Sequence, residues 1–90
     1  MHPGRVVGRV VATRKSEGLK GTKLLLVQPT DWHGTPRGDH LIAADAVGAG
    51  AAEFIFYVKS REAAVVFTEI PPVDASIVGI IDGIEWVQEG

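Results

Sequence analysis

The chain contains no cysteine, which excludes a disulfide framework, a thiolate nucleophile and a zinc–thiolate centre. Stability has to come from packing and assembly. An excess of one charge is missing as well: nine Lys and Arg face eleven Asp and Glu, so nothing steers the protein toward nucleic acid or an anionic membrane. The apolar stretches fall far short of the roughly 18 to 20 residues a membrane span needs. His2, Arg5 and Arg9 break up the opening run, so no apolar core of an export signal is formed there. A soluble, cytoplasmic protein with no membrane or nucleic-acid partner is expected.

What the chain does have is apolar material, 46% of 90 residues. A single domain spanning residues 1–90 and folding alone would bury only roughly 60 to 65% of its unfolded surface. That is more apolar surface than so small a core can use. Oligomerisation is the economical expectation.

Residues 4–13 are dense in β-branched side chains and predict a first strand, buried on both faces, with Gly8 marking a bulge or corner. A helix there would have to absorb four valines and two glycines in ten residues. After a charged loop, residues 23–27 predict a second strand that pairs antiparallel with the first and ends at Gln28-Pro29. Residues 39–44 and 53–59 predict the third and fourth. In the fourth, Phe54, Phe56 and Val58 alternate with Ile55 and Tyr57, so both faces are apolar and one is expected to meet something other than the core. Ser60 with the following Glu and Ala residues predicts one or two helical turns to residue 66. Residues 77–81 predict a fifth strand, with Gly79 inside it and Asp82-Gly83 as its turn. A short terminal strand is expected over residues 84–87. The fold class is therefore all-β with one short helix, a small OB-like five-stranded barrel.

Between the third and fourth strands lies Asp45-Ala46-Val47-Gly48-Ala49-Gly50, a run of small residues suited to a sharp turn or a close backbone approach. As a phosphate cradle it lacks the required context, because a strand rather than a long helix follows and no Lys-Ser or Lys-Thr pair comes directly after the glycines. Asp31, His33, Asp39 and His40 do not fall at a recognisable metal-ligand spacing. Asp45, Glu53, Asp74 and Asp82 qualify for acid–base chemistry by type alone. For Asp45 and Asp74 the better reading is a carboxylate that accepts backbone hydrogen bonds and fixes a turn. Gly8, Asp74, Gly79 and Asp82 are accordingly expected to be structural. No catalytic residue, cofactor or metal is assigned.

Four ordered blocks carry a resemblance: Gly4-Arg5-Val6-Val7-Gly8 with Val10 and Val11; Gly21 with Lys23-Leu24-Leu25-Leu26-Val27-Gln28-Pro29; the Asp45 to Gly50 run; and Val73-Asp74-Ala75-Ser76-Ile77-Val78-Gly79-Ile80-Ile81-Asp82. Together they resemble the EutN/CcmL-type pentameric vertex proteins of bacterial microcompartment shells. The resemblance implies an OB-like barrel assembling as a cyclic homopentamer that caps the five-fold vertices of the shell against hexameric and pseudohexameric shell proteins, with no catalysis. Where that family often has a further Gly before the Glu, this chain has Ala51-Ala52 before Glu53. In a five-fold ring, small residues such as Gly48, Ala49 and Gly50, flanked by Asp45 and Val47, would suit the axis or the subunit seam. The alternatives are an OB-type binding module for nucleic acid or a small ligand, and an enzyme built on the Asp31 to His40 region.

Overall fold

β-Branched residues flanking Gly8 favour extended backbone, and in the computed structural model they form the first of five strands. The structure describes residues 1–11, 23–59 and 74–87. Its strands are β1 (His2–Arg9), β2 (Lys23–Pro29), β3 (Leu41–Asp45), β4 (Phe54–Lys59) and β5 (Ala75–Ile80). They close a barrel in the order β1-β2-β3-β5-β4. The β3–β5 ladder is parallel and the other four are antiparallel. Five short strands in this order are the OB-like arrangement.

Period-two alternation decides which side chains enter the barrel. Val6, Leu25, Val27, Ala43, Ile55, Tyr57, Ala75 and Ile77 are buried together in one cluster. Removing a Val or Ile side chain from water contributes roughly 1.5–3 kcal/mol, so this cluster is the main stabilising feature of the barrel. Burial also raises the pKa of the Tyr57 phenol above its ordinary value. In β4 the inward face is Ile55 and Tyr57, while Phe54, Phe56 and Val58 lie outside and are half-buried.

Two strands carry a register shift, and a glycine flanks each. In β1 the shift falls between Val6 and Gly8, leaving Val7 as the extra residue. In β5 it leaves Val78 without a partner between Ile77 and Gly79. A bulge bends its strand and turns the extra side chain outward. Val7 and Val78 are both exposed. Gly79 has a second reason to be glycine, because a Cβ there would run into the ring of Phe56, its partner on β4.

Several expectations are corrected by this arrangement. β1 is not covered on both faces: Val7 is 48% and Val11 85% exposed in the single chain, since the bulge directs Val7 away from the barrel. β3 runs from Leu41 rather than from residue 39, and β5 ends at Ile80 rather than at residue 81. No terminal strand forms over residues 84–87, and Asp82-Gly83 makes no turn. Both neighbours of β5 are already in place as β3 and β4, so the chain leaving it finds no described strand to pair with. The short helix expected after Ser60 lies outside the described residues.

Candidate functional site

The loop after β3 is held down by its own carboxylates. Asp45 Oδ1 accepts hydrogen bonds from the amides of Val47 (3.1 Å) and Gly48 (3.0 Å), the geometry of a short side chain capping a turn. Gly48 has φ +83°, a conformation that costs a residue with a Cβ roughly 1–2 kcal/mol. The Gly50 amide donates to the Glu53 carboxylate. Lys23 Nζ, from the start of β2, donates to the Ala49 carbonyl (2.8 Å) and stands 3.6 Å from the fully buried Asp45 Oδ2. Beyond the glycines, Ala52 takes φ +67°, and its carbonyl accepts from Arg5 Nη1 at 2.9 Å.

These contacts divide the loop in two. Ala49 is 0% exposed and belongs to the protomer's own core cluster, so its methyl group fills the barrel. Ala46, Val47 and Gly48 are exposed, and within the Asp45 to Gly50 run they are the residues that face outward for a neighbour. The same contacts explain why the run is no phosphate cradle. The amides of Val47, Gly48 and Gly50 already donate to carboxylates, and a phosphate there would meet negative charge rather than free donors.

The loop after β2 is likewise fixed by one carboxylate. Asp31 Oδ1 accepts from the amides of His33 (2.8 Å) and Thr35 (3.0 Å), and Arg37 Nη2 lies 3.7 Å from Oδ2. The Thr35 hydrogen bond above all, with those of His33 and the charge of Arg37, holds the Asp31 carboxyl below its ordinary value. Asp31 therefore stays charged and serves as a turn anchor, not a proton donor. The His33 ring is stacked on Trp86, with centroids 4.5 Å apart and an interplanar angle of 5°. Among the described residues no three His, Asp or Glu side chains gather as a metal set, and Asp39 and His40 are exposed.

Near the start of β3, Asp74 ties that strand to β5. Its Oδ2 accepts from the Ile42 amide (3.0 Å), while its own amide donates to the Ile42 carbonyl (2.9 Å). Asp82 makes no such bond among the described residues. An open groove of about 580 Å³ runs between the β2–β3 loop and the chain beyond β5, with Arg5, Trp32, His33, Phe54 and Trp86 among its walls. The Arg5 guanidinium is engaged within its own chain, over the Phe54 ring at 5.0 Å and on the Ala52 carbonyl. The described residues thus offer carboxylate-fixed turns and exposed apolar side chains, and no paired acid and base is seen among them. Sequence reasoning missed the His33–Trp86 stack, because 53 positions separate the two rings and no local pattern links them.

Comparison with known proteins agrees with this geometry. The family model described as ethanolamine utilisation protein EutN/carboxysome matches residues 1–82. A carboxysome shell vertex protein CcmL from Gloeobacter violaceus is 42% identical over 83 residues, covering 91% of this chain and 83% of the relative. A microcompartment shell vertex protein GrpN from Rhodospirillum rubrum is 39% identical over 89 residues, covering 97% and 99%. The solved structure of the pentameric microcompartment shell protein GrpN superposes with a TM-score of 0.83 at 38% identity, over 97% of this chain and all of that one. With barrel topology, sequence and solved relatives in agreement, the chain belongs to the EutN/CcmL family.

Proposed function

We propose that this chain assembles as a cyclic homopentamer that closes the five-fold vertices of a bacterial microcompartment shell, and that it is a structural component, not an enzyme. The observation that carries the reading is the kinship with shell vertex proteins and with a pentameric solved relative. The physical character of the surface supports it. Val7, Val11, Trp32, Val47, Val78 and Trp86 are all exposed in the single chain, and a ring gives such side chains a partner surface. Hexameric and pseudohexameric shell proteins are the partners around the ring, and the bacterial cytoplasm is the compartment in which the shell forms.

Residues 1–90 act as one unit in this assembly, with no cofactor. Within the loop after β3, Val47 and Gly48 meet the axis or a neighbouring copy. Asp45, Ala49 and Gly50 contribute by fixing the turn that presents them. The test is the mass of the native particle by native mass spectrometry or light scattering. A ring gives five times the 9.6 kDa of the chain. A stable monomer at micromolar concentration refutes it and favours an OB-type binding module instead.

A further inference from the structure

The two edges of β1 are unequally used. Along one edge β2 accompanies it from Gly4 to Arg9, and the Val10 amide still donates to the Leu24 carbonyl at 3.0 Å. On the other edge β4 accompanies only His2 to Arg5. The last bonds there run from the Val6 amide to the Glu53 carbonyl (3.0 Å) and from the Ala52 amide to the Val6 carbonyl (2.9 Å). Past the bulge at Val7 that edge has no strand against it among the described residues. Val7, Arg9 and Val11 are exposed along it, and Arg9 makes no ion pair or hydrogen bond among the described residues. A free edge of this kind is a template for an added strand.

The chain also holds a segment that fits such a template. After the Ile81 amide donates to the Phe54 carbonyl (2.9 Å), residues 82–87 run without helix, strand, turn or bend. Among the described residues none of their backbone groups is hydrogen-bonded. Trp86 is 60% and Val87 90% exposed. One face of Trp86 is stacked on His33, which holds the segment against the β2–β3 loop of its own barrel. Asp82 and Glu85 add negative charge with no partner among the described residues.

We propose that residues 83–87 of one copy add as a short antiparallel strand to the free edge of β1 in the next copy. The inference rests on the ring proposed above and names its seam. Pairing Glu85 with Arg9 fixes the register. It sets Val87 against Val7 and Ile84 against Val10, and it places the indole of Trp86 across from Gly8, which has no Cβ. Opposite charges and apolar pairs directly across a ladder each stabilise it by roughly 0.2–1 kcal/mol. A slip of one residue would lose the charge pair and turn the side chains to the wrong faces. Main-chain hydrogen bonds supply affinity and the side chains supply register, as in other strand additions. Because donor and acceptor are different surfaces of one chain, the contact is heterologous, and it is used up on every copy when a ring closes.

The absence of cysteine makes a clean test possible. The full chain carrying both Arg9→Cys and Glu85→Cys is purified, oxidised and run on a denaturing gel without reductant, beside each single variant. The expected result is a covalent ladder reaching five chains, abolished by reductant and missing from both single variants. A pentamer by native mass spectrometry that gives no ladder overturns this seam and leaves the ring standing. A monomeric wild-type chain overturns both. As a second measurement, Arg9→Glu alone should raise the concentration at half-assembly roughly tenfold, and adding Glu85→Arg should restore it to within about threefold. Failure of the second change to rescue the first, with circular dichroism unchanged, also overturns the pairing.

Discussion

Replacing Gly4 with Ala tests the packing of the barrel most directly. Gly4 is buried in β1, with β2 on one side and β4 on the other, paired to Pro29 and Ile55. A Cβ there would stand 2.7 Å from Val27 Cγ1, 3.1 Å from the Gln28 carbonyl oxygen and 3.3 Å from Tyr57 Cε1. Val27 is 0% exposed, so its methyl group has nowhere to go, and the carbonyl is part of the ladder. Overpacking of one methyl into a closed core costs about 1–3 kcal/mol. For a barrel of this size a loss of about 2 kcal/mol lowers the thermal midpoint by about 8–16 °C. Gly8→Ala is the control in the same strand. Within the protomer its Cβ would meet Leu26 at 3.5 Å, an ordinary contact, so its effect on the unassembled chain should stay within about 0.5 kcal/mol. Both variants are melted at one protomer concentration, since assembly couples stability to concentration. If Gly4→Ala melts no lower than Gly8→Ala, the account of β1 as a strand closed on its inner face at Gly4 is wrong.

Other positions yield further expectations. Ala52→Gly relieves the left-handed φ of +67° and should stabilise the protein by about 0.5–1 kcal/mol net of the added freedom of the unfolded chain, seen as a higher urea midpoint; a lower midpoint contradicts the strain. Ala49→Trp should abolish folding, not just assembly, because the residue is sealed in the protomer's core, and a folded monomer by circular dichroism would place Ala49 at a seam instead. Asp31 has a folded-state pKa depressed below 3.8, so its contribution is present above that value and fades as pH falls through the depressed one. Asp31→Asn should therefore melt below wild type at pH 7, with the gap narrowing as pH falls below 3.8; a gap independent of pH rejects the charged anchor. Val47→Asp should leave the fold intact and weaken the ring, which native mass spectrometry would register as a smaller pentamer fraction.

Much of the barrel is legible in the residues because the causes are local. β-Branched runs specify strands, Pro29 closes β2, and glycines mark the places where β1 and β5 bend. The alternation in β4 showed two apolar faces, and parity grouped Phe54 with Phe56 and Ile55 with Tyr57. It could not say which group faces inward, because that depends on which side of β4 the other four strands occupy. The parallel β3–β5 ladder that closes the barrel was beyond local reading for the same reason.

The site shows the same division more sharply. Gly48, Ala49 and Gly50 look equivalent as small residues, yet Ala49 fills the core while Gly48 faces solvent, a choice made by Lys23 and the Asp45 carboxylate bracketing the turn. The Asp31 to His40 region was the alternative for an enzyme, and in the structure Asp31 is committed to backbone amides and His33 to Trp86. The sequence alone determined the five barrel strands, the turn at Asp45 and the surplus of apolar surface, since propensity and pattern act between near neighbours. Tertiary structure decided which small residue is core, which stretch of β1 has no described strand beside it and that Trp86 meets His33, because those depend on contacts between segments far apart in the chain.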